Sequence, residues 1–375
     1  MLTFSDLVAL DGELRDSPTL TLYLDGRSEN PAWRTAWRRS LKQEESRLRR
    51  DLVGASLGER EVFARNIEAL EMHLAHRRGA LDAPGWLGVV ADGRVRLDAP
   101  LRAVTPTIGA WRKGVALSPF LCTADAGCCA WVVVADSRAA RIFHCSDDGV
   151  RRIDVVRTDA RATPDPRVGG TRRVAPHPAT RGGIGRAAAE RERREARSRM
   201  LHTLAARVRA LTPALPVFVG GTPQLLGEAV DAMARAGVAT VVEAPVLGAR
   251  ARVSEISRAV RDGLVQLRRA EEQELVAELL RRFANDDLAA AGAAITGRAL
   301  DERAVLALVL SASFVALQPE VAEVFVRSAL AQDAVVDVVS GDAARMLEAS
   351  GGVGVMLRFA PSRPVGERSE ELAAV

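Results

Sequence analysis

Arg181-Gly182-Gly183-Ile184-Gly185-Arg186 opens an arginine-dense run that continues to Arg199. Two adjacent glycines make a segment with almost no side-chain bulk, able to enter a narrow space or to take positive φ. The arginines behind them carry planar guanidinium forks that hold phosphate oxygens in bidentate geometry. From Arg181 to Arg199 seven Arg stand against three Glu, a local charge of +4 that equals the formal net charge of the whole 375-residue chain. Over the wider interval from Arg157 to Arg199 twelve Arg face five acids, so the rest of the chain carries −3. A polarised basic segment on a near-neutral body is the electrostatic footprint of a phosphate-binding site. The candidate RNA-binding residues are Arg172, Arg173, Arg181, Arg186, Arg191, Arg193, Arg194 and Arg197, with Arg199 and His202 further along the same stretch. A solvated basic insertion is the plainer reading of the run.

Other chemistry finds little support. The chain has no G-x-S-x-G, no P-loop, no H-E-x-x-H and no strand-anchored G-x-G-x-x-G. His73 and His76 flank no second ligand cluster, so they read as a solvated helix face. His144 reads as a structural strand histidine, and His177 sits among the prolines of the basic segment as an open RNA contact. Cys122, Cys128, Cys129 and Cys145 lack paired C-x-x-C spacing, which argues against zinc and against a disulfide framework. The expectation is no metal and no cofactor. Asp286-Asp287 and Glu271-Glu272 read as surface charge, because nothing near them in sequence separates their pKa values.

The scaffold follows from composition and patterning. Apolar content of 48% and charged content of 27% are those of a soluble globular protein, and the length allows two or three domains. Ser5 and Asp6 break the apolar start, and no run of about 18 apolar residues occurs, so the expectation is a cytoplasmic protein with no membrane partner. Of the 52 basic residues 50 are Arg, the exceptions being Lys42 and Lys113. That bias reflects base composition; the clustering carries the information.

The fold class expected is α/β, as three α/β domains, the central one with a projecting basic glycine-tipped loop and helix. The boundaries read as 1–122 for the first domain and 123–250 for the central domain, with the basic loop at 157–199. The third domain reads as 251–362, and 363–375 as a polar tail. In the first, residues 19–24 form an alternating or fully buried strand, 32–52 and 58–78 form helices, and Asp92-Gly93 turns a hairpin. In the second, strands at 130–135, 139–145 and 150–156 precede an irregular segment up to Gly185 and one helix from Arg186 to Leu211. Its second half carries the apolar stripe Leu201, Leu204, Val208 and Leu211, while its first half is polar all round. A helix that packs at one end and projects at the other carries its leading segment outward. Thr222-Pro223 reads as a further helix start. In the third, a long helix from Ser254 to Phe283 and a helix at 288–295 lead into alternating strands and helices, which predicts a mostly parallel sheet.

With these residues in place the chain resembles the class 1 peptide-chain release factors of archaea and eukaryotes and the rescue factor Pelota, especially the bacterial members of that superfamily. In the release-factor pattern a Gly-Gly-Gln tip precedes a helix with spaced arginines and then an apolar stripe. Arg181-Gly182-Gly183-Ile184 matches the tip, Arg191 and Arg193 the helix arginines, and Leu204 to Val208 the stripe. Residues 21–25 and 351–359 resemble the opening and closing strands of the bacterial members. Gly169-Gly170-Thr171 is a weaker match, with no helix directly after it. Ile184 stands where the family glutamine would be, and an isoleucine side chain neither donates nor accepts a hydrogen bond. The resemblance implies a tRNA-mimicking factor in the A site of stalled or idle ribosomes, in rescue or hibernation. Its partners would be rRNA, the acceptor end of peptidyl-tRNA, and an elongation-factor-like GTPase as a candidate for delivery. Two alternatives stay open: an active peptidyl-tRNA hydrolase using the backbone of the tip Gly182, Gly183 and Ile184 or another residue, and a non-ribosomal stress-associated α/β protein.

Overall fold

A computed structural model describes residues 2–26, 36–75, 81, 83–101, 105, 107–122, 129–146, 148–159, 182–211 and 215–360. Of residues 182–189 it describes the backbone alone. In chain order the elements are α1 (Phe4–Leu14), β1 (Pro18–Asp25), α2 (Ala36–Asp51), α3 (Leu57–Ala75), β2 (Gly85–Ala91), β3 (Arg94–Leu101), β4 (Ile108–Lys113) and α4 (Ser118–Leu121). There follow β5 (Ala130–Ala135), β6 (Ala139–Ser146), β7 (Gly149–Arg157), α5 (Gly182–Ala210), β8 (Val217–Gly221), α6 (Pro223–Arg235), β9 (Val241–Glu243) and α7 (Val253–Ala284). The chain closes with β10 (Ala289–Ala291), α8 (Ala293–Asp301), β11 (Val305–Ser311), α9 (Ala312–Leu317), α10 (Pro319–Leu330), β12 (Val335–Val339), α11 (Gly341–Glu348) and β13 (Val353–Leu357). They gather into two units, Met1–Ala126 with Arg268–Val375, and Gly127–Leu267, so the division falls within α7.

The first unit holds two sheets. One is antiparallel throughout, in the order β3-β2-β1-β4. Its hairpin turns at Asp92 and Gly93, both at positive φ (54° and 69°), as an Asp-Gly pair between apolar runs predicts. Both faces of β1 are covered. Leu20, Leu22 and Leu24 pack on Trp37, Leu41 and Leu48 of α2 and Phe63 and Ile67 of α3. Tyr23 packs on the other side with Leu7 and Leu14 of α1 and with Phe314, Phe325 and Val326 from the C-terminal part of the chain. That two-sided burial takes in every residue from Thr19 to Leu24, the two threonines included.

The other sheet of this unit has the order β10-β13-β11-β12 and corrects two expectations. Only β11 and β12 run parallel; β13 lies antiparallel to both β10 and β11, so the sheet is mixed and not mostly parallel. Alternation of helix and strand in sequence leaves strand direction undetermined. Ala289–Ala291, expected inside a helix at 288–295, is instead the edge strand β10, paired with Gly354 to Met356. Alanine favours helix intrinsically, and here the ladder overrides that preference. Gly292, at φ 95°, breaks the chain between β10 and α8.

The second unit is a five-stranded sheet in the order β7-β6-β5-β8-β9, with antiparallel pairing on one side of β5 and parallel pairing on the other. Met200, Leu201, Leu204, Ala205 and Val208 of α5, with Ala229 and Met233 of α6, cover one face. Leu247 and residues Ile256 and Val260 of α7 cover the opposite face. The result is three layers, helix on sheet on helix. Gly220 and Gly221 end β8 where no side chain fits. A Cβ on Gly220 would meet the Leu247 Cβ at 2.4 Å, and one on Gly221, at φ 146°, would meet the Ala135 carbonyl at 2.1 Å. No helix among the described residues is long and apolar enough to cross a membrane.

Candidate nucleic-acid interface

The site is built on α5. Its 29 residues are mostly Ala, Arg, Glu and Leu, which favour helix, and Glu190–Arg194 and Glu195–Arg199 stand at the i,i+4 spacing that supports it. The helix starts four residues ahead of the expected Arg186, so Gly182, Gly183 and Ile184 form its first turn instead of a loop before it. Once a helix is nucleated each further residue adds a hydrogen bond cheaply, and the alanines at 187–189 carry it back into the glycines. The leading backbone N–H groups of a helix have no intrahelical acceptors. At this end they belong to a turn with three glycines.

Anchoring begins at Ala196, the first buried side chain of the described part of α5. Glu190 through Glu195 are all exposed, so the preceding stretch leaves the core, as its all-round polarity predicts. Arg191, Arg193 and Arg194 lie there with no carboxylate partner among the described residues. At about 100° per residue Arg191 and Arg194 share one side, while Arg193 points about 200° away from Arg191. The cations are therefore spread around the helix and not ranged along one face.

Arg197 differs. Its Nε and Nη2 donate to Glu228 of α6 at 2.9 and 2.8 Å, a bidentate pair. The guanidinium grouped by sequence with the RNA-contacting set is thus already engaged within the protein. Nearly three turns on, Arg207 pairs with Asp154 of β7, and that bond, with a further one from the Val155 N–H, holds the Asp154 carboxyl below its usual range. Glu228 and Asp154 were not evident as site residues, for they lie 31 and 53 positions from their partners. Between α5 and α6 runs a groove of about 730 Å³ whose lining includes Arg194, Ser198, His202, Arg209, Asp231 and Arg235. Arg194 and His202 are brought together there; Arg199 is exposed outside it.

Arg172, Arg173, Arg181, Gly169-Gly170-Thr171 and His177 lie outside the described residues, as do Cys128, His76 and the tail 363–375. The side chains of Ile184 and Arg186 are likewise outside them. His73 bonds Asp98 through Nε2 at 2.6 Å, and His144 packs on the Trp131 ring at 4.6 Å. No group of three or more His, Cys, Asp and Glu suited to a metal occurs among the described residues.

No family model matches the chain, and no curated protein matches it. Among solved structures it is similar to Pelota of Archaeoglobus fulgidus, at 17% identity over 74% of this chain and 80% of that one, with a TM-score of 0.41. It is similar also to S. cerevisiae Dom34, described as a translation termination-like factor of RNA quality control that interacts with Hbs1. There the identity is 11% over 71% and 77%, with a TM-score of 0.41. An archaeal Pelota, in a ribosome-bound assembly with ABCE1, aligns at 15% identity over 96% and 95%, with a TM-score of 0.42. At these identities and scores the likenesses carry no argument about what this chain does.

Proposed function

We propose that this chain is a ribosome-associated factor of release-factor and Pelota type that occupies the A site of stalled or idle ribosomes, with the Gly182–Gly183 end of α5 inserted into RNA. The observation that carries the reading is the split character of α5. Residues 196–208 seat it on the sheet, while residues 190–195 are exposed throughout and hold three arginines without acidic partners among the described residues. Cations spread around a helix suit a ligand that surrounds it, such as structured RNA, read by shape and backbone contacts. The ribosome as partner rests on the sequence resemblance, in which Arg191 and Arg193 coincide with the helix arginines of the pattern.

Binding is the activity this site favours over hydrolysis. Gly182 and Gly183 keep the leading turn slim, and its N–H groups, which have no intrahelical acceptors, suit an anionic backbone. Ile184 brings no side-chain group able to orient an attacking water. Rescue and hibernation both use this binding step, and delivery by an elongation-factor-like GTPase is compatible with it.

Co-sedimentation of the purified protein with ribosomes through a sucrose gradient at moderate salt tests the reading. The wild type is expected in the ribosomal fractions, and Arg191→Glu/Arg193→Glu/Arg194→Glu at the top of the gradient. A wild type that stays soluble, or a triple variant that sediments unchanged, overturns it.

A further inference from the structure

We propose that the outward face of α2, in the first unit, is a second phosphate-backbone surface for structured RNA, independent of the α5 arginines. Trp37, Leu41 and Leu48 bury one side of this helix. Opposite them, at helical spacing, lie Arg38, Arg39, Lys42, Gln43, Ser46 and Arg50, all exposed and with no acid among them. The stripe from Arg38 to Arg50 runs about 18 Å at 1.5 Å per residue.

The charge is segregated by specific contacts. Every acid of α2 is engaged elsewhere. Glu44 accepts from the Gly109 N–H at 2.8 Å and from Arg47 at 2.8 Å, Glu45 pairs with Arg49 at 2.8 Å, and Asp51 with Arg47 at 3.0 Å. Arg38 lies over the Trp37 ring at 5.2 Å. Arg39, Lys42 and Arg50 are left with no carboxylate partner among the described residues, and one of the chain's two lysines is in this stripe. Three unneutralised cations along one helix face form a linear electrostatic footprint for a phosphate backbone. A lipid surface fits less well, because the apolar side of α2 is consumed by the core and cannot enter a membrane. The choice of RNA over DNA rests on the function proposed above; the charge geometry does not.

The test is binding of the full chain to a short RNA duplex, by fluorescence anisotropy from about 50 to about 200 mM salt. It compares the wild type, Arg39→Gln/Lys42→Gln/Arg50→Gln, and Arg191→Gln/Arg193→Gln/Arg194→Gln. Loss of three phosphate contacts makes the salt dependence shallower by about 2.7 in log–log slope, on the order of 40-fold in affinity across that range. The α2 variant is expected to show this loss, and a Lys42→Gln/Arg50→Gln pair about two thirds of it should the triple variant not fold. If the α2 variants keep the wild-type slope while the α5 variant loses it, the α2 surface is refuted and the ribosomal reading stands. If the wild type does not sediment with ribosomes yet the α2 variants lose duplex affinity, the ribosomal reading fails and the α2 surface stands. A loss seen on phosphatidylserine vesicles or on polyglutamate, but not on RNA, also overturns the proposal.

Discussion

Arg327 of α10 and Asp11 of α1, 316 positions apart, form a bidentate ion pair with N–O distances of 2.8 and 2.7 Å. The same guanidinium donates to the Val115 carbonyl at 2.6 Å and to Glu323 at 3.2 Å. Glu323, 1% exposed, accepts from the backbone N–H groups of Leu117 and Ser118. With Arg112 a more distant second cation, 3.9 Å from Glu323, Arg327 thus compensates two acids in the interior of the first unit. Arg327→Met removes it and leaves both carboxylates without their main counter-charge, which costs about 3–5 kcal/mol for a buried pair. Arg327→Lys keeps the charge, loses the fork, and falls between. Urea unfolding followed by tryptophan fluorescence measures both; a loss under about 1 kcal/mol for Arg327→Met contradicts the account.

Tyr23 belongs to the same interior and sets an alkaline limit. It is fully buried, and its hydroxyl donates to the Ala116 carbonyl at 2.7 Å. Burial, and after it the charge of Glu323, pushes its phenol well above the usual value of 10.0. The folded state therefore holds this proton more tightly than the unfolded chain does. Its contribution is complete below about pH 10 and is lost as pH rises above that, toward the folded-state pKa. Denaturant titrations at rising pH are expected to show wild-type stability falling above pH 10 more steeply than that of Tyr23→Phe. Parallel curves refute the assignment. At neutral pH the Phe variant loses about 0.5–1.5 kcal/mol with its hydrogen bond.

Two glycines of the second unit separate necessity from tolerance. Gly221 sits at φ 146° with the Ala135 carbonyl 2.1 Å from where a Cβ would stand. Gly221→Ala is expected to destabilise by about 1–3 kcal/mol from backbone strain alone, with the clash adding to it. Gly227, on the exposed side of α6, has nothing within 4 Å of its Cβ position. Gly227→Ala is expected to stabilise by about 0.4–1 kcal/mol. Thermal melts of the pair decide the matter: shifts of the same sign contradict the geometry.

What was legible in the chain was local. The Asp92-Gly93 turn, the buried run of β1 and the packing stripe of α5 each follow from a few consecutive residues. Strand direction does not: β13 takes an antiparallel place because of where its partners lie, with Gly354 admitting Leu279 side-chain atoms to within about 3 Å of its Cβ position. Ala289–Ala291 carries no strand signal of its own and becomes one by pairing. The long-range ion pairs are equally silent in sequence. Arg197 looks like Arg194 until Glu228 is placed beside it.

That pair yields a prediction on binding. Arg197 is tied to Glu228, with side chains 27% and 44% exposed, and such a pair is worth about 0.2–1 kcal/mol to stability. Glu228→Gln should leave the fold nearly unchanged and release a guanidinium beside the α5–α6 groove. Ribosome binding is then expected to tighten at low salt and to become more salt-dependent by about one phosphate contact, or about 0.9 in slope. Arg197→Gln alone should leave the slope unchanged. A slope that drops in Arg197→Gln would mean that Arg197 abandons Glu228 when RNA is bound.

Under the function proposed above, Ile184 is the residue that separates occupancy from cleavage. Ile184 lies in the first turn of α5, two residues after the helix starts at Gly182. If the leading turn reaches the place where the peptidyl ester is held, the wild type blocks that place without placing a water. Purified protein added to stalled nascent-chain complexes is then expected to release no peptide above background. Ile184→Gln supplies an amide that can both donate and accept. It is expected to raise the release rate measurably while leaving co-sedimentation unchanged, since the arginines proposed to bind RNA are untouched. One well-placed donor is worth on the order of 3–4 kcal/mol of barrier in other enzymes, so even partial alignment gives a gain of tenfold or more. Release by the wild type would make the chain a hydrolase. Binding without release in both proteins would mean that the turn stops short of the ester, and that occupancy of the site depends on the arginines of α5 alone.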